Sequence, residues 1–299
     1  MEPYTLSLQA LRKLLFGGFG LLKPWLSGPR KVVLAYHSVC PSRLFYNLTP
    51  TAVFEDHLAW LAFNCEVVGF DELALPYSGA RPRVALTFDD GFLDNLEYAV
   101  PLLIKYGLKA SFFVTTGLLQ RDPVALGIFA RSFQTASADF MDEAALRELV
   151  AAGMTVGAHS HTHRNLKSLT LPEQKEELTR SKHTLEHILQ RPVDTLAYPF
   201  GVPDKAFDLR TCALAESLGY TLAGTVCWRG VKPLDMPLRI PRITVVDESV
   251  AQLEAMVYGA LDTIGHLQDR RLERIRALES AALCMGDIAT GIGPGMLVV

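Results

Sequence analysis

Two adjacent carboxylates give the chain an evident capacity for metal or proton chemistry. Asp89 and Asp90 directly follow the apolar run 84–86, and such neighbouring charges are costly unless a cation or a proton separates them. Gly91 comes next and permits a tight turn or a close backbone approach. Taken alone, the pair fits a solvated turn with a helix-capping aspartate as well as it fits a metal site.

Histidines are concentrated in a second segment. His159, His161 and His163 follow another apolar run, 154–156. The spacing of His159 and His163 predicts that one helical turn puts both imidazoles on one side. His161 then points elsewhere, and we expect it either to support the metal ligands without binding the ion or to lie at the surface. Two imidazoles and one carboxylate are a common ligand set for a catalytic Zn²⁺ or similar divalent ion. One aspartate then binds the metal, and the other acts as general base for its water.

The two segments together resemble a known family. Residues 87–91 (Thr-Phe-Asp-Asp-Gly) and 159–163 (His-Ser-His-Thr-His) are similar to the first two motifs of the polysaccharide deacetylases, carbohydrate esterase family 4 with the NodB homology domain. The resemblance implies that Asp89 is the general base and that one divalent ion is bound at Asp90, His159 and His163. The ion expected is Zn²⁺, with Co²⁺, Ni²⁺ and Mn²⁺ as alternatives. The family fold is a distorted (β/α)₇ barrel.

A third family motif, Arg-x-Pro-Tyr/Phe, aligns with residues 197–200 (Ala-Tyr-Pro-Phe). By this likeness the backbone N–H of Phe200 helps to hold the oxyanion, and Tyr198 and Pro199 contact the substrate. Trp228 follows the predicted strand 221–226 and is a further candidate to line the acetyl pocket or stack on a sugar. An aromatic residue that only packs at the rim explains Trp228 equally well.

The arginine of the third motif is absent, because Ala197 occupies its position. In the family that arginine orients the base, so the chain needs a substitute. Arg242, or with less support Arg239, lies beside the last predicted strand and is the candidate. A surface arginine that caps a strand is the alternative for either residue.

The general acid also departs from the usual pattern. The family draws it from a Leu-x-His motif near the C-terminal end, where this chain has only His266, in a predicted helical tail. His37 instead follows the first predicted strand, which resembles the rearranged subgroup that includes the poly-N-acetylglucosamine deacetylases. We therefore predict that His37 protonates the leaving amine. A buried histidine that holds the strand end is the alternative.

Alternating strands and helices must position these residues. Short apolar runs predict strands at 32–36, 84–88, 110–114, 154–158, 195–198, 221–226 and 240–245. Helical periodicity and end signals predict helices at 51–63, 95–106, 142–152, 172–190, 208–218, 250–264 and 267–284. Residues 120–140 lack a clean period and are predicted as an insertion over one rim. This alternation is typical of a parallel sheet, and the motifs follow strand ends, where a βα barrel places its active site.

Composition limits the class of protein and its partners. We predict an N-terminal segment, 1–30, that packs on its own domain or lies on a membrane surface; a catalytic domain, 31–248; and a helical extension with a flexible tail, 249–299. The net charge of −3 gives no basic surface for nucleic acid. Five separated cysteines without a CxxC pair favour thiols in a reducing compartment, and no cleavable signal is evident, so the predicted location is cytoplasmic or peripheral at a membrane.

The functional hypothesis is hydrolysis of an amide on a sugar. We predict a metal-dependent enzyme that removes the N-acetyl group from N-acetylhexosamine units of a glycan or a lipid-linked sugar. Alternatives within the enzyme class are removal of a formyl group or of an O-acetyl ester. A non-catalytic glycan-binding role is the alternative from another class, and the absent motif arginine is its only support.

Overall fold

The computed structural model describes residues 30–41, 48–133 and 138–269 of the chain. Of the predicted segment 1–30 it includes only Arg30, and of the predicted extension 249–299 it includes only 249–269. The predictions for the remainder of both regions therefore lie outside the described residues.

A parallel sheet occupies the centre of the fold, with neighbours in the order β10-β1-β5-β6-β7-β8-β9 and with β4 beside the first half of β5. An isolated bridge between Gly224 of β9 and Ile240, three residues before β10, brings the two edges of the curled sheet close together. A separate short pair, β2 and β3, lies outside it. The strands are β1 (Lys31–Tyr36), β2 (Ser38–Cys40), β3 (Leu48–Pro50), β4 (Glu66–Val68), β5 (Arg83–Phe88), β6 (Ser111–Val114), β7 (Thr155–Ala158), β8 (Thr195–Ala197), β9 (Leu222–Gly224) and β10 (Ile243–Thr244).

Helices connect the strands and cover the outside of the sheet. Several of them begin at side-chain caps; Asp142 and Asp208, for example, accept hydrogen bonds from first-turn backbone N–H groups that have no helical partner. The α-helices are α1 (Thr51–Asn64), α2 (Val100–Lys105), α3 (Thr116–Leu119), α4 (Pro123–Phe133), α5 (Glu143–Ala151), α6 (Leu171–Leu189), α7 (Leu209–Ser217) and α8 (Val250–Val257). A second helical run, 262–269, follows α8.

The core lies on both faces of the sheet. β1 and β5 consist almost entirely of buried side chains, which is expected of parallel strands covered by helices on one face and by barrel interior on the other. α6 buries Leu178, Leu185 and Ile188 against this sheet along one stripe. The fold is thus the predicted α/β class, a curled parallel sheet of the distorted barrel type.

Several local predictions require correction. Residues 120–140 are not simply irregular, because Asp122 caps α4 and Pro123 occupies its first position, a start signal that the weak periodicity concealed. The helix predicted over 95–106 begins as a π-helix, Asn95–Ala99, before Pro101, which has no N–H to donate. The helix predicted over 250–264 ends at Val257, and Gly259 follows with a φ of +97°.

Among the residues described here, no helix is long and apolar enough to cross a bilayer.

Candidate metal and catalytic site

Asp90, His159 and His163 come together at the carboxyl ends of β5 and β7. The Oδ1 atom of Asp90 lies 3.5 Å from Nε2 of His159 and 3.3 Å from Nε2 of His163. All three side chains are buried, and Asp90 Oδ1 has no hydrogen-bond partner within the described parts of the chain. A buried carboxylate oxygen without a donor, facing two imidazole nitrogens, fits a divalent cation.

Left-handed backbone, rather than a helical turn, makes the ligands converge. Ser160 and His163 have φ values of +60° and +58°, and Asp90 has +74°, a region that residues with a Cβ seldom adopt. Residues 159–163 therefore form a tight loop, in which Ser160 Oγ accepts a hydrogen bond from the N–H of His163 at 3.1 Å. The predicted convergence is present, but the helical reason for it is wrong.

A backbone carbonyl orients one of the histidines. Nδ1 of His159 lies 2.7 Å from the carbonyl oxygen of Ala197, and only an N–H can donate to a carbonyl. Nε2 is then unprotonated and faces Asp90, as a metal ligand requires. The ring of His163 is held between those of Phe129 and Phe200, at centroid distances of 5.6 and 4.9 Å.

Burial favours the neutral forms of Asp90, His159 and His163. Burial, and then the charge of Asp89, raise the pKa of Asp90 well above its usual value. Burial likewise lowers the pKa of His159 and of His163, so both imidazoles favour the neutral form. A bound divalent cation reverses this balance, because it stabilises the ionised carboxylate and accepts the lone pairs of neutral imidazoles.

Asp89 is held by Arg242 through two parallel hydrogen bonds. The guanidinium donates to Oδ1 at 2.7 Å and to Oδ2 at 2.8 Å, and also to the Thr87 hydroxyl at 3.2 Å. Burial alone raises the pKa of Asp89, but the charge and hydrogen bonds of Arg242 hold it well below the usual range. Of the two arginines predicted as substitutes, it is Arg242 and not Arg239 that occupies both oxygens of Asp89.

Arg242 reaches Asp89 through the interior of the barrel. Its side chain is fully buried, and its guanidinium carbon lies 5.4 Å from the ring centroid of Phe113. Gly224 leaves room for it, since a Cβ at that position would be 2.6 Å from Cδ of Arg242. The guanidinium is thus a fixed, desolvated cation beneath the metal cluster.

His37 lies at the end of β1 and is partly buried. Its Nδ1 atom has no hydrogen-bond partner among the described residues. Burial, with the charges of Arg242 and His159, lowers the pKa of His37 to about 4, although the carboxylate of Asp89 favours its protonated form. The next residue, Ser38, donates a hydrogen bond to Asp94 and anchors this strand end.

Of the three residues predicted around the substrate in the third motif, only Phe200 has an exposed side chain beside the site. Tyr198 is fully buried, its hydroxyl donates to the carbonyl of Leu238 at 3.2 Å, and its ring stacks on Phe207 at 3.9 Å. Its side chain therefore packs in the core and does not line the site. Pro199 is buried as well. Phe200 has a φ of +60° and a 41% exposed side chain at the rim beside His163.

His161 and Trp228 were also singled out in the sequence. His161 is buried rather than superficial, with Nδ1 2.9 Å from the Thr116 hydroxyl and Nε2 3.4 Å from Asp122. Trp228 packs against the core and donates its backbone N–H to Gln268 of the run 262–269. Its contact with a sugar stays a prediction.

The sequence analysis missed three contributors to the site, of which two leave a signal in the sequence. The Ala197 carbonyl leaves no sequence signal, because any residue supplies one. Thr87 was visible as a polar residue inside an apolar strand. Glu177 was visible as a charged residue on the buried face of α6, where it accepts hydrogen bonds from the loop 159–163.

Comparison with known proteins agrees with this geometry. Residues 77–223 match the polysaccharide deacetylase family. YxkH of Bacillus subtilis (strain 168), which bears the name of a polysaccharide deacetylase, is 27% identical over 198 residues. That match covers 64% of this chain and 63% of the length of YxkH.

Solved structures share the fold. The deacetylase PplD of Streptococcus pyogenes, in complex with acetate, superposes with a TM-score of 0.64 at 22% identity, over 77% of this chain and 99% of PplD. IcaB from Ammonifex degensii gives a TM-score of 0.63 at 24% identity, over 78% of this chain and 99% of IcaB. At these identities the likeness concerns the fold alone.

Proposed function

Because the chain belongs, through residues 77–223, to the polysaccharide deacetylase family, we propose that it is a metal-dependent hydrolase of N-acetylated sugars. The observation that carries the proposal is the buried Asp90–His159–His163 cluster beside an ionised Asp89. The substrate we propose is an N-acetylhexosamine unit of a glycan or a lipid-linked sugar. Zn²⁺ is the ion best matched by two imidazoles and one carboxylate.

Asp90, His159 and His163 would hold the ion, which would supply Lewis-acid activation of a water and of the amide carbonyl. Asp89 is the proposed acceptor of a proton from the attacking water. Its low pKa keeps it ionised at neutral pH, and Arg242 fixes the direction of its oxygens. This arrangement makes Asp89 a weak but permanently available base.

His37 is the proposed donor of a proton to the leaving amine. Before substrate binds, burial keeps this imidazole neutral, and Asp89 is the nearby charge that favours protonation. Negative charge that develops on the carbonyl oxygen acts in the same direction as Asp89 and raises the pKa of His37 as the reaction proceeds. The N–H of Phe200 is the proposed donor to that oxygen.

The decisive experiment measures acetate release. Purified protein loaded with Zn²⁺ is screened against N-acetylglucosamine oligomers and lipid-linked N-acetyl sugars, with Asp90→Ala as the blank. Asp89→Asn, which keeps the shape of the side chain, is expected to lower kcat about 10²–10⁴-fold. Full activity in Asp89→Asn on a substrate that the wild type deacetylates would rule out the assigned base.

Matched substrates separate the alternatives. N-acetyl, N-formyl and O-acetyl derivatives of one sugar report which acyl group is preferred, and a clear preference for formyl or ester would replace the proposed reaction. The non-catalytic alternative drew its support from the absent motif arginine. The ion pair between Arg242 and Asp89 supports the catalytic proposal instead.

A further inference from the structure

The metal-binding loop has strained backbone that something must hold. Two of its five residues, Ser160 and His163, have left-handed φ values, which cost free energy in residues with a Cβ and persist only where the surroundings enforce them. The N–H of Thr116 donates to the carbonyl of Ser160 at 3.3 Å, and that of Gly117 to the carbonyl of His161 at 2.7 Å. These contacts from α3 hold one side of the loop.

Glu177 of α6 holds the other side. Its Oε2 atom accepts hydrogen bonds from the N–H groups of His161 at 3.0 Å and of Thr162 at 2.8 Å. Its Oε1 atom accepts from the Thr162 hydroxyl at 2.5 Å and from the Arg164 guanidinium at 3.1 and 3.2 Å. One side chain therefore fixes two of the four peptide groups that lie between the ligands His159 and His163.

Packing gives no reason for a carboxylate at this position. Glu177 is 3% exposed and shares the buried face of α6 with Leu178 and Leu185. A buried carboxylate is costly unless donors surround it, and here the donors come from the loop and from Arg164.

We propose that Glu177 is a positioning residue of the metal centre. By fixing the peptide groups of His161 and Thr162, it sets the distance and orientation of His159 and His163 and thereby the affinity for the divalent ion. The inference rests on the metal site of the proposed function, and it concerns metal affinity rather than the reaction that follows.

Glu177→Gln is the sharpest variant, because it preserves shape while changing one acceptor into a donor. Both carboxylate oxygens face donors, so the amide NH₂ must be placed either against the two backbone N–H groups or against Arg164 and Thr162. Zn²⁺ affinity is measured by competition with a chromophoric chelator, and ligand geometry by the visible spectrum of the Co²⁺ form. We expect an affinity loss of about 10–100-fold and an altered Co²⁺ spectrum.

Glu173→Gln is the matched control. Glu173 lies one turn earlier on α6 and approaches the same Arg164 at 3.5 Å, but it is exposed, and its hydrogen bonds go to Thr170 at the helix start. Glutamine still serves in that capping box. This variant should bind Zn²⁺ within about twofold of the wild type, since a single hydrogen-bond partner outside the loop changes.

The outcomes separate the two proposals. A folded Glu177→Gln protein with unchanged Zn²⁺ affinity and Co²⁺ spectrum would overturn the role of Glu177. If that variant does not fold, Thr162→Val removes the hydroxyl bond to Oε1 and the bond that this hydroxyl accepts from Nε of Arg164, but it leaves the backbone bonds to Glu177 in place. Its affinity should fall below that of Glu173→Gln; equal affinities would again overturn the role. Wild-type protein that binds no Zn²⁺ would overturn both proposals, whereas binding without acetate release would overturn the proposed function alone.

Discussion

At the scale of single residues, the site depends on one buried ion pair. Asp89 and Arg242 are both nearly or fully buried and are joined by two short hydrogen bonds. Such a pair contributes little net stability compared with apolar residues of similar volume, but loss of one partner leaves the other charge without compensation. The pair therefore ties the protonation state of the proposed base to the integrity of the fold.

Arg242→Met tests this dependence. It should lower the free energy of unfolding at pH 7 by about 3–5 kcal/mol, because Asp89 remains buried without its counterion. Since only His159 and His37 then oppose the effect of burial, the pKa of Asp89 should rise, and the acidic limb of the kcat profile should move to higher pH. Urea unfolding and a pH–rate profile measure the two effects.

The sign of the pH dependence follows from the lowered pKa of Asp89. The ion pair stabilises the wild type above the ordinary carboxyl pKa of about 3.9 and loses that contribution as pH falls towards the folded-state value. In Arg242→Met the raised pKa lets Asp89 take up a proton, and lose its uncompensated charge, at a higher pH than in the wild type. The stability difference between the two proteins should therefore begin to shrink above a pH of about 3.9 and shrink further as the wild type approaches its own folded-state pKa. Arg242→Lys keeps the charge and should lie between them. A difference that does not change with pH would contradict this explanation.

At the scale of elements, the loops after β5, β7 and β8 assemble the site. Seven of the ten strands in the described parts of the chain were predictable, because their apolar runs and the intervening helical periods are strong signals. The sequence analysis missed β2, β3 and β4, which have three residues each. The loop conformations were not predictable, since Ser160 and Phe200 have positive φ, and the contacts that hold the loop around Ser160 come from α3 and α6, which are distant in sequence. The i, i+4 spacing of the histidines therefore predicted the correct neighbours for the wrong conformational reason.

Gly201→Ala tests the loop after β8. Gly201 has a φ of +60°, and an added Cβ would lie 2.7 Å from Cγ2 of Val226 and 2.9 Å from its backbone nitrogen. The loop must shift, so kcat should fall through displacement of the Phe200 N–H, with a loss of stability of about 1–3 kcal/mol. Zn²⁺ affinity should change less than kcat, because the ligands lie on other loops and this loop touches only one of them, through the ring of Phe200 on His163. Steady-state kinetics and chelator competition separate the two readouts.

Gly219→Ala is the matched control for that variant. Gly219 also has a positive φ, +81°, but the nearest atom to an added Cβ is Cε of Lys182 at 4.0 Å. It should lose stability through backbone strain alone and keep its kcat. If Gly219→Ala and Gly201→Ala lost the same fraction of activity, the effect would not arise from the position of Phe200.

At the scale of the whole molecule, the ligands come from strand ends that β6 separates in the sheet. A bound ion therefore links two parts of the barrel rim. The α/β class and the region of the site were predictable from strand order and motif position. The paired hydrogen bonds between Arg242 and Asp89 were not, because they span 153 residues and no local pattern encodes their geometry. The sequence could only name Arg242 and Arg239 as candidates.

Metal removal should change the thermal stability of the whole domain. At a Zn²⁺ concentration of about 100 times Kd, binding contributes about 2.7 kcal/mol, which corresponds to a Tm shift of roughly 5–10 °C for a domain of this size. Chelation should lower Tm by that amount and Zn²⁺ should restore it, as followed by differential scanning fluorimetry.

Asp90→Ala is the control for this experiment, and its melting temperature without metal should change in the opposite direction. It should show no Zn²⁺-dependent shift, and without metal it should melt at or above the wild-type temperature, because it lacks a buried carboxylate oxygen that has no donor. Equal melting temperatures of the wild type with and without Zn²⁺ would contradict metal binding at this cluster.

The path of Arg242 through the space above Gly224 bears on how relatives are compared. A pattern search that requires arginine at the position of Ala197 would class this chain as degenerate, although a later segment supplies the guanidinium to the same carboxylate. The requirement here is a guanidinium beside Asp89, and residues at more than one position of the chain can supply it. Positions 197, 224 and 242 should therefore be compared together, since the absence of a side chain at Gly224 makes the room that Arg242 occupies.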